Sequence, residues 1–269
     1  MTSKKDSSQL TLYPDPYSRR LRVDDYEGPV NEVVKAIDTA RQPWAEKVII
    51  KSRPGDVAAF RECGYEQEAI VSKYFAGTDM HFLARYFAEA RRVNEKAKQE
   101  DDIIRKLLAS TPAGEKSDTS RVLFGGPDDA DELAGLYKRV FPVYPTPVGD
   151  PHHIRKTMAA GTLYALIRDG HGLMSAASAE VNRKYLNAEL TDCASAEEVQ
   201  GKGYMRMLLT ALESTLKSQG IGCFYTIARS ESYGMNKVFH QLGYSFGGRM
   251  TNNCIIFSGM EDMNVWYRS

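Results

Sequence analysis

Cysteine is sparse in this chain and never falls at metal-binding spacing. Cys63, Cys193, Cys223 and Cys254 stand far apart with no Cys-x-x-Cys among them, which excludes a zinc module or disulfide framework by pattern and suits a reducing compartment. An excess of either charge is also missing, because 35 Lys plus Arg balance 35 Asp plus Glu over 269 residues. The basic field that a phosphate backbone attracts is therefore absent, and no nucleic-acid partner is expected. Every apolar run falls short of the ~20 residues a spanning helix needs, and the polar start MTSKKDSSQ lacks the apolar core of a signal peptide. These absences predict a cytoplasmic protein with no membrane partner and no metal, and nothing in them sets an oligomeric state.

What is present predicts alternating strands and helices in two domains, an N-terminal α/β domain over 1–110 and a larger one over 121–269. Extended candidates at Leu10–Tyr13 and Arg19–Val23 precede a helix over Val30–Arg41, with Val33, Val34 and Ile37 at helical spacing. A strand at 46–52, a short helix from Pro54 to Cys63 and a strand at 66–75 follow. The run from Asp79 to Ser110 reads as helix in one or two segments, on the spacing of Phe82, Leu83, Tyr86 and Phe87 and then of Ile103, Ile104, Leu107 and Leu108. TPAGEKSDTS, at 111–120, is the linker. Residues 59–68 (AFRECGYEQE) resemble 238–247 (VFHQLGYSFG). That is either a degenerate repeat of one half or the ordinary glycine exit from a helix, and the glycine exit is the preferred reading.

The second domain opens with a strand at RVLF and a helix carrying acidic residues in its first turn. A proline-rich connection then leads to a short helix at His152–Met158, where the His152–His153 pair reads as solvated. A hairpin turning at Asp169–Gly172 comes next. The stretch from 188 to 219 then reads as strand, acidic loop and helix. Gln200, Gly201, Lys202 and Gly203 run directly into the helix that starts near Tyr204. Glycines permit close backbone approach, and the free N–H groups of a helix start favour a phosphate. A glycine-softened turn before an ordinary amphipathic helix fits the same letters. Neither the Walker loop nor the three-glycine dinucleotide fingerprint matches.

The spacing of Gln200 and Gly203 resembles the Gln/Arg-x-x-Gly-x-Gly/Ala loop of the GNAT acetyltransferases, with Met205 where Gly or Ala is usual. The strand at 223–229 and the helix ending in Leu242, Gly243 and Tyr244 keep the same order. Longer motifs at 46–77 (EKVIIKSRPGDVAAFRECGYEQEAIVSKYFAG), 188–195 (AELTDCAS), 225–244 (YTIARSESYGMNKVFHQLGY) and 261–267 (EDMNVWY) resemble the β-lysine N-acetyltransferase family over nearly the whole chain. That resemblance implies a C-terminal GNAT fold, a mixed and mostly antiparallel sheet flanked by helices, beside the smaller N-terminal domain. It also implies transfer of an acetyl group from acetyl-CoA, as co-substrate, to the ε-amine of β-lysine, a small diamino acid, giving a solute associated with osmotic adaptation. Another small amine, a protein lysine, or a non-catalytic acyl-CoA sensor are the alternatives.

On the resemblance, acetyl-CoA contacts fall to Cys193, Ala194 and Ser195, paired with the pantetheine arm as an added strand, and to Gln200, Gly201, Lys202, Gly203, Tyr204 and Met205. An alkyl ammonium of pKa ~10.4 is deprotonated in only about one molecule in 10³ at neutral pH, so a base is needed. Strict alternation puts Glu189, Thr191 and Cys193 on one face and Leu190, Asp192 and Ala194 on the other. Glu189 is the first candidate base and Asp192 the second; a carboxylate that merely binds the cationic amine fits equally. The superfamily's usual acid position is Phe239 here, which leaves Tyr233 or Ser232 as substitutes. For the acceptor carboxylate, Arg229 and then Arg249 are the candidates. For its second amine they are Asn252, Asn253, Glu261 and Asp262.

Overall fold

The computed structural model describes residues 9–112, 117–170, 172–257 and 259–269. Part of the expected linker (113–116) and most of the polar N-terminal stretch lie outside the described residues. The chain runs β1 (Gln9–Asp15), β2 (Arg20–Glu27), α1 (Val30–Ala40), β3 (Lys47–Ser52), α2 (Val57–Glu62), β4 (Glu66–Phe75), β5 (Thr78–Tyr86) and α3 (Ala97–Leu108). It continues through β6 (Leu123–Phe124), α4 (Ala130–Val140), α5 (Pro151–Ala159), β7 (Leu163–Asp169), β8 (Gly172–Asn182), β9 (Asn187–Ser195), α6 (Tyr204–Ser218), β10 (Cys223–Arg229), α7 (Tyr233–Gln241), β11 (Ser245–Ile256) and β12 (Gly259–Arg268). Among the described residues these strands form one sheet in the order β1-β2-β3-β5-β4-β11-β12-β10-β9-β8-β7-β6.

That order contains a repeat. Outward from the β4–β11 seam, β5, β3, β2 and β1 occupy the places that β12, β10, β9 and β8 occupy on the other side. The parallel pairs are β2 with β3 and β10 with β9, while the others are antiparallel. Helices α1 and α2 connect the first set as α6 and α7 connect the second. The two Gly-Tyr exits correspond as well: Gly64 and Gly243 both hold positive φ, and Tyr65 and Tyr244 are both buried. The preferred reading of that similarity as a mere glycine exit is thereby corrected, because a glycine exit alone does not reproduce strand order and parallel pairing on both sides of a seam.

The expected helix from Asp79 is a second correction. Residues 78–86 are β5, because Ala76 and Gly77 both take positive φ and close a two-residue hairpin with β4, pairing Phe75 with Thr78. Of the expected helix, α3 remains.

The two faces of the C-terminal half are covered differently. On one, Leu208, Leu209, Leu212 and Leu216 of α6 pack on Ala177, Ala179, Ala188 and Leu190. On the other, Leu133 and Tyr137 of α4 and Ile154 of α5 pack on Tyr164, Leu166, Ala176 and Ala194. Small residues on β8 and β9 let helices approach on both faces, which fixes β9 rigidly up to the point where the site begins. Asp150 starts α5 by accepting the N–H of His152 at 2.9 Å. No helix among the described residues is long and apolar enough to cross a membrane.

Candidate active site

Strands β9 and β10 are hydrogen-bonded only at their beginnings, where Cys223, Phe224 and Tyr225 face Asn187, Ala188 and Glu189. Beyond that they diverge. The slot between them opens into a cleft of about 720 Å³ lined by Thr191, Asp192, Cys193 and Ser195 of β9, Thr226–Arg229 of β10, and the starts of α6 and α7.

A bulge in β9 contributes to the divergence. Its register with β8 jumps from Ala176 opposite Ala194 to Ser178 opposite Thr191, so Asp192 and Cys193 share the single partner position of Ala177. Asp192 takes φ of 49°, a conformation a non-glycine residue adopts at a cost. The strict alternation expected from sequence fails here. Leu190 and Cys193 pack toward α6, while Asp192 turns to the opposite face, accepting a hydrogen bond from the Ser178 hydroxyl at 2.7 Å and another from Tyr144. Burial, reinforced by Glu189 and opposed by those two donors, raises the Asp192 carboxyl from its ordinary 3.8 to about 6. The hydroxyl of Tyr137 is buried in the same nest without a hydrogen-bond partner. Ser178, Tyr137 and Tyr144 gave no signal in the sequence, since each is an ordinary residue 14 to 55 positions away from Asp192.

The glycine loop is where it was expected. Gly201 and Gly203 hold φ of 79° and 81°, Gly203 is the N-cap of α6, and no side chain caps that helix. The uncapped N–H groups of its first turn therefore remain free for an anionic ligand. Gln200, Gly201, Gly203, Tyr204 and Met205 line the cleft, whereas Lys202 does not. Met205 is almost fully buried, so it anchors the helix start in the core as well as lining the slot. Cys193 and Ser195 line the slot while Ala194 packs into the α4–α5 core with only its backbone at the strand edge. An edge opened inside a sheet presents unpaired backbone groups to an extended ligand.

Tyr233, the first residue of α7, lines the cleft and is about half exposed, with Ser232 beside it. Phe239 is fully buried, edge-on to Tyr244 at 5.1 Å. Asn236, which sequence reasoning passed over, ties the region together: its amide donates to the carbonyls of Arg229 and Ser232, and its oxygen accepts from Asn264 and Trp266.

The expected acceptor residues separate into two places. Arg229 is in the cleft wall, paired with Glu261 at 2.9 Å and lying over the ring of Phe257. Arg249 is a correction: it is absent from the cleft lining and is held by Asp101 at 2.7 Å and by the Asn264 side chain at 3.1 Å. Asn252 and Asp262 are likewise outside the cleft, in a smaller cavity of about 410 Å³ that Glu261 also lines, together with Asn94, Lys96 and Glu100. There Asn252 accepts from Arg91 and donates to Asp262, bracing the segment before α3. Asn253 is buried with its side-chain oxygen unpaired. Strand β11 bulges between Met250 and Cys254, which turns these polar side chains toward α3 rather than toward the slot. Glu189 is also outside the cleft lining; it accepts the Tyr225 hydroxyl at 2.9 Å and faces the N-terminal half.

A sequence model of the Acetyltransferase (GNAT) family matches residues 130–244. The chain is 35% identical to the N-acetyltransferase YodP of Bacillus subtilis, over 98% of this chain and 97% of that one. It is 34% identical to the β-lysine N(6)-acetyltransferase of Methanococcus maripaludis, over 89% and 88%, and 32% identical to that of Methanosarcina mazei, over 91% and 99%. The chain belongs to the β-lysine N-acetyltransferase family. It is accordingly a GNAT N-acetyltransferase. Among the described residues no group of three or more His, Cys, Asp or Glu side chains could hold a metal.

The glycine loop yields the first prediction for this family member. A Cβ at Gly203 would meet no protein atom within 4 Å, so the only thing it could crowd is a ligand, but φ of 81° penalises a β-branched residue by roughly 1–2 kcal/mol. Gly203→Val is expected to weaken acetyl-CoA binding on the order of a hundredfold by calorimetry, with the far-ultraviolet spectrum intact. Unchanged affinity would remove the coenzyme from this loop.

Proposed function

We propose that the protein transfers the acetyl group of acetyl-CoA to the ε-amine of β-lysine, making a neutral-side-chain solute in the cytoplasm. The observation that carries the chemistry is Asp192: a buried carboxylate in the wall of the slot, held by Ser178 and Tyr144, with its pKa raised toward neutrality. Such a group accepts a proton from an arriving ammonium at neutral pH and is the base in this reading, with Glu189 assigned to binding. Acetyl-CoA supplies the activated carbonyl. The chain supplies the edge of β9 to align the pantetheine arm and the α6 N-terminus for the pyrophosphate. The N-terminus of α7, with Ser232 and Tyr233, favours the negative charge that develops on the departing sulfur. Whole-length similarity to two β-lysine N(6)-acetyltransferases supports the acceptor.

The test is steady-state turnover of the purified chain, followed by thiol release, on β-lysine, α-lysine, a simple diamine and a lysine peptide. A site that pairs the 3-amine loses one charged hydrogen bond when that amine moves to carbon 2, worth about 1.5–3 kcal/mol or roughly ten- to a hundredfold in kcat/KM. Equal efficiencies for β-lysine and α-lysine would sink the acceptor assignment and leave acetyl transfer standing.

A further inference from the structure

Glu189 lies outside the cleft lining, in a cluster of charged side chains, termed the groove, that both halves of the molecule contribute, and close enough to Arg22 and Lys51 to hold them charged. On its own side, Glu180 stands directly opposite it across the β8–β9 pair and is exposed to solvent. Tyr225 links Glu189 to β10 at 2.9 Å. The far wall is the end of β2 and β3, the strands that repeat β9 and β10. Arg22 and Lys51 both reach Asp24, at 3.0 and 3.3 Å, and the Lys51 ammonium lies 5.9 Å from the centre of the Tyr225 ring. Only one edge of the Arg22 guanidinium is used. Its Nε is buried and has no hydrogen-bond partner, an unmet donor of a kind native proteins rarely leave without a purpose.

The charges in this groove do not balance without a ligand. Asp24, Glu180, Glu189 and Asp192 face two cations, Arg22 and Lys51. Asp24 and Glu189 hold both cations charged against the cost of burial. Glu180 reaches solvent at its surface, but crowding by surrounding protein partly desolvates its carboxyl, and with Glu189 and Asp192 close by this pushes it up to about 7, although Arg22 and Lys51 pull it down. A guest carrying ammonium groups would relieve that repulsion, and one that also carries a carboxylate would satisfy the free edge of Arg22. The length agrees. Along a strand, about 3.3 Å per residue puts Glu189 on the order of 10 Å from Asp192. The two nitrogens of a 3,6-diamino acid lie on the order of 6 Å apart when extended at ordinary bond lengths, which leaves room for a hydrogen bond to a carboxylate at each end.

We propose that the N-terminal half completes the acceptor site: Arg22, with Lys51, binds the carboxylate of the amino acid, and Glu180 with Glu189 binds its non-reacting ammonium, leaving the terminal amine at Asp192. The proposal rests on the acetyltransferase reading above and assigns a task to the N-terminal half. That half lacks a coenzyme loop of its own, since β2 passes into α1 through Glu27, Gly28 and Pro29 with a single glycine. The substrate-binding role expected for Arg229 passes to Arg22.

The experiment uses the full chain and its Arg22→Ala, Arg22→Lys and Glu180→Gln variants, with KM measured separately for acetyl-CoA and for the amino-acid acceptor. Arg22→Ala is expected to raise the acceptor KM ten- to a hundredfold, Arg22→Lys to recover part of that loss, and both to leave the acetyl-CoA KM within about twofold. Glu180→Gln, on an exposed side chain that the fold does not need, should raise the KM of the diamino acid about tenfold. The second arm uses 6-aminohexanoate, which keeps the carboxylate and terminal amine and lacks the second amine, read as acceptor or as competitive inhibitor. It should be weakened by Arg22→Ala and indifferent to Glu180→Gln. An active enzyme whose acceptor KM is the same in all three variants overturns the groove alone. Equal losses for acceptor and acetyl-CoA also overturn it, because they mark a structural role. A wild type that acetylates no amine overturns the reading on which the groove depends, and the groove with it.

Discussion

Asp192→Asn is expected to lower kcat at neutral pH by about 10²–10⁴ while making the protein more stable. The rate effect follows from losing the proton acceptor in the slot. In the wild type, log kcat/KM should fall as pH drops through about 6, where Asp192 becomes protonated in the folded enzyme. In the variant that inflection should vanish, and the residual activity should climb at high pH as the amine deprotonates itself. The stability effect has the opposite sign from the usual carboxylate. The folded pKa of about 6 stands above the ordinary 3.8, so the unfolded chain ionises first. The contribution of the neutral carboxyl is complete below about pH 4 and is lost as pH rises through about 6. Asparagine cannot ionise and can still accept from Ser178. Relative to wild type, it should therefore gain about 1–3 kcal/mol at pH 7–8 and almost nothing below pH 4. Urea titrations at two pH values and a pH–rate profile together decide it. If Glu189→Gln abolishes the pH 6 inflection and Asp192→Asn preserves it, the base is Glu189 and the bulge serves only to open the slot.

The second large effect is expected at the seam between the two halves. Gly248 of β11 lies against Ala69 of β4, and a Cβ there would stand 2.3 Å from the Glu68 carbonyl oxygen with φ at 135°. The neighbouring Gly247 would place one 2.2 Å from the carbonyl oxygen of Ile70. Both obstacles are backbone, so relief requires the strands to separate. Separation would break the two bonds that cross the seam beside Gly248, from the fully buried Lys47 to the Thr251 carbonyl at 2.6 Å and from the Thr251 N–H to Glu68 at 2.8 Å. Each lost hydrogen bond to a buried charged group costs about 1.5–3 kcal/mol, and the backbone clash adds to it. Gly248→Val should therefore lose at least ~4 kcal/mol of stability, or fail to fold. Gly135→Ala, in the interior of α4 with no atom within 4 Å of the new methyl, should gain about 0.5–1 kcal/mol instead. Chemical denaturation of both variants measures the contrast. A loss below ~1 kcal/mol at Gly248 would mean that the halves are not clamped through this seam.

Lys47 and Gly248 also show where reading the chain by itself stopped. Neither has a neighbour in sequence that explains it, because each is fixed by the other half. Local chemistry was legible. The 3.6-residue spacing of Val33, Val34 and Ile37 in α1, the Gln200–Gly203 turn into α6 and the Gly243 exit from α7 each depend on contacts within a few residues. The family was legible because its long motifs cover nearly the whole chain. Phe82 and Leu83 misled, since adjacent apolar residues suit either a helix or a strand buried on both faces. The hairpin at Ala76–Gly77 settled the matter by pairing β5 with β4. The bulge at Asp192 was hidden for a different reason: alternation along a strand holds only while the register holds, and one extra residue turns every following side chain to the other face. That is why Asp192 turns away from the face it would share with Leu190, while Cys193 takes its place toward α6. The meeting of Arg22, Lys51, Glu180 and Glu189 was decided still later. Those residues come together only when two similar sheets join edge to edge at β4 and β11, a pairing made possible by two glycines and carried by no local pattern in the chain.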